Sequence, residues 1–109
     1  MTEATTIAIG DRIQVDREAL DSLLAEYGVR QLSVFGSAAR GEMTKESDID
    51  LLVEFRPNSA PSLGGLVELR DRLSDLLGGR RVDLATPSIL NNPYRRRAIN
   101  RDLKVLHAA

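Results

Sequence analysis

Three aspartates hold most of the chemical interest of this 109-residue chain. Asp48 and Asp50 sit two apart in Ser47-Asp48-Ile49-Asp50-Leu51-Leu52-Val53. The alternation there predicts a strand over Asp48–Phe55. On a strand, residues i and i+2 share a face with Cα atoms roughly 6.6 Å apart, so Ile49, Leu51 and Val53 turn the other way, into a core. Aspartate is depleted in strands, and two on one face repel. At ~4 Å the cost is on the order of 4 kcal/mol at an effective dielectric of 20. A divalent cation removes that cost, and two such carboxylates can bridge two metal ions ~3.5–4 Å apart. The bland alternative is a solvated strand face that begins at a turn. Asp83, in Val82-Asp83-Leu84, joins the pair if its strand lies beside Asp48–Phe55. It would then complete an all-oxygen site and could accept a proton from an attacking hydroxyl. Taken alone, Asp83 reads as a structural residue paired with Arg80 or Arg81.

Upstream, Gly36-Ser37 follows the apolar stretch that ends at Phe35. Glycine lets a ligand approach the backbone, and a serine opening a helical turn offers a hydroxyl and an amide to phosphate. The same pair also reads as an ordinary strand-to-helix turn with a serine cap. Gly36 and Gly41 have the spacing of a P-loop, but Glu42-Met43 stand where Lys and Ser/Thr are required. An acid there would repel phosphates, so that reading is excluded. Composition narrows the field further. With no Cys and His107 as the single histidine, a disulfide framework, a thiolate or His-pair zinc site and an iron–sulfur cluster are all excluded. A catalytic metal would need oxygen ligands, which favours magnesium, manganese or calcium.

The elements that must position these residues follow from periodicity and breakers. Residues 1–10 read as a loose lead-in. A short strand is predicted over Arg12–Val15, and Asp16 then caps a helix carrying Leu20, Leu23, Leu24 and Tyr27, stopped by Gly28. Gln31–Phe35 and Asp48–Phe55 follow as strands, and Pro57, Asn58, Ser59 and Pro61 break the chain. A second helix places Leu66, Leu69, Leu73, Leu76 and Leu77 at i, i+3, i+4 spacing until Gly78-Gly79. Arg81–Ala85 is a strand ended by Thr86-Pro87. Pro93 opens an Arg-rich helix to about Arg101, and Leu103–Leu106 closes the chain as a strand. The order β-α-β-β-α-β-α-β predicts an α+β fold, a mixed β-sheet packed by helices.

At this length, with 42% hydrophobic and 28% charged residues, one globular domain over 1–109 is expected. No apolar run approaches the ~18 residues of a membrane span, and Glu3 stands where a signal peptide wants positive charge. A cytoplasmic location with no membrane association is therefore expected. The net charge of −1 conceals an asymmetry: residues 1–79 sum to −6 and residues 80–109 to +5. The basic part suggests an anionic partner or attraction to the acidic half.

Together, Gly36-Ser37, ten intervening residues, Asp48-x-Asp50 and a later Asp83 strongly resemble the DNA polymerase β-type nucleotidyltransferase superfamily, and most of all its minimal nucleotidyltransferase (MNT) branch. Phe35 before Gly-Ser, Arg40-Gly41 after it and Ser47 before Asp48 strengthen the resemblance, which runs from about Leu20 to Arg97. It implies a mixed sheet with helices mainly on one face. It also implies transfer of a nucleoside monophosphate, by default AMP from ATP, with release of pyrophosphate. Asp48, Asp50 and Asp83 would hold Mg2+, two ions in the family pattern with Mn2+ as a possible substitute, and Asp83 would help deprotonate the acceptor. Gly36 and Ser37 would hold the β and γ phosphates, with Ser47 beside them. Arg40 would either neutralise phosphate charge or brace the loop against Glu42 or Glu46.

The resemblance further implies a partner, a helical HEPN-type toxin, with this chain acting as antitoxin by adenylylating one of its tyrosines or another hydroxyl. Two competing readings stand beside this one: an antitoxin that neutralises by binding alone, and a nucleotide-binding sensor. The segment Arg95, Arg96, Arg97, Arg101 and Lys104 could meet an acidic partner or the nucleotide. Alternatively it is a solvated helix face, with Tyr94, Ala98 and Ile99 packed inward. Two Phe and two Tyr are too few for the stacking platforms of single-strand binders, so direct nucleic-acid binding is not expected.

Overall fold

A computed structural model of the chain describes residues 6–10 and 13–108. The chain runs β1 (Thr6–Ile9), β2 (Ile13–Asp16), α1 (Arg17–Glu26), β3 (Val29–Phe35), α2 (Gly36–Arg40), β4 (Ile49–Phe55), α3 (Leu63–Leu76), β5 (Val82–Ala85), a 3-10 turn (Pro87–Asn91), α4 (Pro93–Asp102) and β6 (Lys104–Ala108). Four strands form the main sheet in the order β5-β4-β3-β6, and β1 and β2 form a separate antiparallel pair. β3 is antiparallel to both β4 and β6, whereas β4 and β5 are parallel, so the sheet is mixed as expected.

Local chemistry sets the element boundaries. Asp16 caps α1 by accepting from the amides of Glu18 (2.9 Å) and Ala19 (3.4 Å). Ser62 does the same for α3 through the Gly65 amide (3.2 Å), and Asn92 for α4 through the amides of Tyr94 (3.0 Å) and Arg95 (3.2 Å). Each cap satisfies an amide that the first helical turn leaves without a partner. The leucines of α1 and α3 lie on one face of the main sheet. Leu20, Leu24, Leu69 and Leu73 are buried there with Leu32, Val34, Ile49, Leu51 and Val53. Each such side chain contributes about 1.5–3 kcal/mol when fully buried. A smaller cluster, Phe35, Leu52 and Ile99, covers the opposite face, where α4 lies. Helices thus pack mainly on one face, with α4 as the exception.

The structure corrects several expectations. The lead-in is not loose throughout: Thr6–Ile9 pairs with Ile13–Asp16 and buries Ile9. The apolar run Ile7-Ala8-Ile9 is too short to mark a strand before its partner is known. The predicted strand over Arg12–Val15 begins at Ile13, and Arg12 lies outside the described residues. β3 begins at Val29, two residues before the expected start, with an irregularity in its pairing there. The strand expected to start at Asp48 starts at Ile49. α4 buries Ile99 alone; Tyr94 is 86% exposed and Ala98 is exposed too, so neither packs inward as expected. His107 on β6 lies 2.8 Å from Asp21 on α1, tying the last strand to the first helix.

Candidate functional site

Ile49, Leu51 and Val53 are fully buried on the α1/α3 face. The pleat therefore turns Asp48 and Asp50 to the other face, with Leu52. β5 lies beside β4 in parallel, and its register sets Asp83 directly against Asp50. On the other side of Asp50 stands Phe35, its register partner in β3. The register thus places Asp50 between an aromatic ring and a second carboxylate, while Asp48 leads into the strand from the preceding loop. The strand neighbour that Asp83 needs to join the pair is present.

Asp50 is half-buried, whereas Asp48 and Asp83 are exposed. Burial pushes the Asp50 carboxyl up, and the charges of Asp83 and Asp48 push it further; the Arg95 guanidinium on α4 opposes them. This is the signature of crowded acids sharing one space. Arg81 pairs with Asp48 (3.0 Å), not with Asp83. Arg80 reaches back to the carbonyls of Thr44 (2.5 Å) and Ser47 (3.0 Å), holding the loop that delivers Asp48.

Gly36 opens α2 with φ of +73°. A Cβ there would collide with Asp50 Oδ2, so the glycine is required both by the backbone and by the carboxylate beside it. Ser37 is half-buried at the second position of α2. Phe35, at the cap position, supplies no side-chain bond to the first amides of this helix. Arg40, at its last residue, bonds Glu42 (3.0 Å) and Asp102 (2.7 Å). Of the two readings for Arg40, bracing is therefore visible, with Glu42 as one partner and Asp102 in place of Glu46. Ser47 accepts from the Thr44 amide (2.9 Å) and lies 3.0 Å from its hydroxyl, so it shapes the turn before Asp48.

The donor set suits a hard divalent cation: carboxylate oxygens from two adjacent strands, one half-buried and pressed by like charges. The three carboxylates are not drawn together into a closed cage. Among the described residues no group of three acidic, histidine or cysteine side chains is already gathered as a metal-holding set, and Asp48 leans on Arg81. A polar groove of about 390 Å3 adjoins the site, lined by Asp48, Arg70, Asp71, Ser74, Arg81, Val82 and Asp83.

The contacts of three residues of this neighbourhood escape a reading of the sequence, although the run that holds Arg95 reads there as a partner or nucleotide contact or a solvated face. Arg95 and Asp102 come from α4, whose side of the sheet no local pattern specifies, although a lone acid at the end of an arginine run is a hint of internal pairing. Arg80 is read as a possible partner of Asp83, and its reach to the loop carbonyls depends on how β5 is placed.

Comparison with known proteins identifies the family. Residues 16–106 match the family model described as nucleotidyltransferase domain. The chain is 46% identical over 78 residues to the Methanocaldococcus jannaschii protein named "Putative protein adenylyltransferase MJ1379", covering 72% of this chain and 77% of that protein. It is 46% identical over 70 residues to protein adenylyltransferase MntA of Thermococcus cleftensis, covering 64% of this chain and 68% of that one. Among solved structures it resembles one described as a "putative minimal nucleotidyltransferase", with TM-score 0.64 and 39% identity over 81% of this chain and 86% of the other. A toxin–antitoxin structure with AMP-PNP shares the fold, with TM-score 0.64 and 22% identity over 85% of this chain and 73% of that one.

Proposed function

Since the chain belongs to the nucleotidyltransferase domain family, we propose that it transfers AMP from ATP to a tyrosine or another hydroxyl of a HEPN-type partner protein in the cytoplasm, and so acts as an antitoxin. The observation that carries this reading is the pairing of Asp50 with Asp83 across β4 and β5, with Gly36 cut away against Asp50. The relatives named protein adenylyltransferase and the fold shared with a toxin–antitoxin structure holding AMP-PNP support it. The whole of residues 1–109 serves as one domain in this reading.

Each residue has a task. Asp48, Asp50 and Asp83 would hold Mg2+, two ions by family resemblance, with Mn2+ as a substitute. When bound, the metal offsets the charge of the triphosphate and polarises the phosphorus under attack. Gly36 leaves the backbone open to the β and γ phosphates, and the uncapped first amides of α2 together with the Ser37 hydroxyl face them. Ser47 and Arg80 hold the loop that delivers Asp48, and Arg40 fixes the end of α2. Asp83 borders the groove beside α3, so the acceptor hydroxyl enters there and gives its proton to the Asp83 carboxylate as its oxygen bonds the α phosphorus. Pyrophosphate leaves on the opposite side. Positioning and electrostatics supply most of the rate in such a transfer.

The test is transfer of α-labelled ATP to the product of the neighbouring gene. Label should appear on the partner with wild type and vanish with Asp48→Ala/Asp50→Ala. Equal labelling by both proteins refutes the assignment. Neutralisation of the partner by the double variant at unchanged affinity, with no labelling by wild type, would instead establish an antitoxin that works by binding.

A further inference from the structure

Helix α3 leaves two apolar side chains to solvent. Leu63 is 79% exposed and Val67 38%. They stand four residues apart and so share one side of the helix. At ~100° per residue, both fall inside the arc between Arg70 and Asp71, and so does Ser74. Arg70, Asp71 and Ser74 are the wall that α3 gives to the polar groove beside Asp48 and Asp83. Leu63 and Val67 therefore prolong that wall toward the start of the helix.

The other wall is β5. Among the described residues β5 pairs with β4 alone and ends the sheet. The Ile49 amide bonds the Arg81 carbonyl (2.9 Å), and the parallel register carries that pattern along the strand. Backbone groups alternate sides along a strand. Arg81, Asp83 and Ala85 thus turn their backbone groups to β4, whereas Arg80, Val82 and Leu84 turn theirs outward. The Arg80 carbonyl accepts from the Ser74 hydroxyl (2.5 Å), which pins the last turn of α3 to the start of β5. Beyond that contact, Val82 and Leu84 offer two amides and two carbonyls along the outer edge. Because β4 and β5 are parallel, α3 between them runs back. Ser74, Arg70, Val67 and Leu63 therefore follow β5 from Arg80 toward Ala85, ~16 Å of helix beside ~17 Å of strand.

An unpaired strand edge is a template for another strand. In a strand added here, the residue opposite Asp83 carries its side chain on the face of the aspartates, with Cβ atoms ~5 Å apart. Its neighbours turn to the other face, where α3 lies. A second copy of β5 fits worse. The antiparallel register that uses both Val82 and Leu84 sets Asp83 against Asp83, like charge on like. We propose that the groove between α3 and the outer edge of β5 docks an extended segment of the acceptor protein. The segment adds to β5 as a strand, rests apolar side chains on Leu63 and Val67, and presents its hydroxyl residue to Asp83. This rests on the nucleotide-transfer reading above.

Amide exchange of the protein with and without the product of the neighbouring gene tests the strand. With that product at saturation, the Val82 and Leu84 amides should exchange at least about 10-fold more slowly. Those of Asp83 and Ala85, already bonded to β4, should change less than about two-fold. Leu63→Asp/Val67→Asp alters exposed positions of α3. It should raise KM for the same product about 10-fold or more and leave AMP-PNP affinity at the wild-type value. Val105→Asp, at an exposed apolar position of β6 on the opposite edge of the sheet, should match wild type in both. Unchanged exchange at Val82 and Leu84 overturns the proposal, as does a KM for Leu63→Asp/Val67→Asp within about two-fold of wild type. Protection of those amides in the protein alone, growing with its concentration, would assign the edge to a second copy and overturn it equally. If wild type transfers no label although both amides become protected, the transfer reading fails and the strand docking stands.

Discussion

Replacing Asp50 by Asn should make the metal-free protein more stable. Asp50 and Asp83 are register partners on neighbouring parallel strands, which puts their backbones ~4.8 Å apart. Two unit charges at ~5 Å repel by about 3 kcal/mol at an effective dielectric of 20 and about 0.8 kcal/mol at that of water. Asp50 is only half-buried and Asp83 is exposed, so the value belongs near the lower bound. Arg95 takes back part of it. The expected gain is about 1 kcal/mol, or roughly 4–8 °C in Tm for a domain of this size. Scanning calorimetry in EDTA at pH 7.5 and low salt reads it directly. The sign of the pH dependence follows from the raised Asp50 carboxyl. A group whose folded pKa lies above its unfolded value of about 3.9 binds more protons in the folded state between the two values. Wild type therefore loses stability as pH rises through that window, and the penalty is complete above the folded pKa. The advantage of Asp50→Asn should be full at neutral pH and fade as pH falls toward about 4. High salt should shrink it as well. Magnesium with ATP should reverse the order, because only wild type gains fully from a ligand bound by the folded state. A lower Tm for Asp50→Asn in EDTA, or a difference that grows as pH falls, would refute the crowding of these carboxylates.

Other consequences can be checked separately. Gly36→Ala forces a side chain onto a backbone at φ +73° and into Asp50 Oδ2. It should lower transfer at least about 100-fold, the scale on which a 1 Å misplacement is felt, with a Tm lower by several degrees from the roughly 1–2 kcal/mol cost of that conformation. Leu73→Ala, at a fully buried position of α3, should cost about 2–5 kcal/mol while leaving AMP-PNP affinity unchanged where the variant is folded. Asp102→Asn should speed amide exchange in α4 at neutral pH. Its difference from wild type should narrow as pH falls below about 4, because the stabilisation from a depressed carboxyl is lost as pH drops through its folded pKa.

The candidate site residues were legible in the chain because their spacing is local. Asp48 and Asp50 two apart on a strand, Gly36-Ser37 at a strand end, and the leucine stripes of α1 and α3 are all periodicities that one element displays by itself. The caps at Asp16 and the stops at Gly28 and Gly78-Gly79 are equally local, and they fall where the sequence puts them. The hairpin partner of β2 was not legible, since Thr6–Ile9 becomes a strand only by pairing.

Tertiary structure decided what stands next to what. Asp83 meets Asp50 only because β5 lies parallel to β4 in a particular register, and register is a property of two strands. Arg40, equally readable as a phosphate contact or a brace, is seen bracing because Asp102, 62 residues along the chain, comes to its side. The arginine run illustrates the same division. Sequence supplies three adjacent cations on a helix whose inward face it does not specify, and the burial of Ile99 with Leu52 and Phe35 decides which side of α4 turns to the sheet.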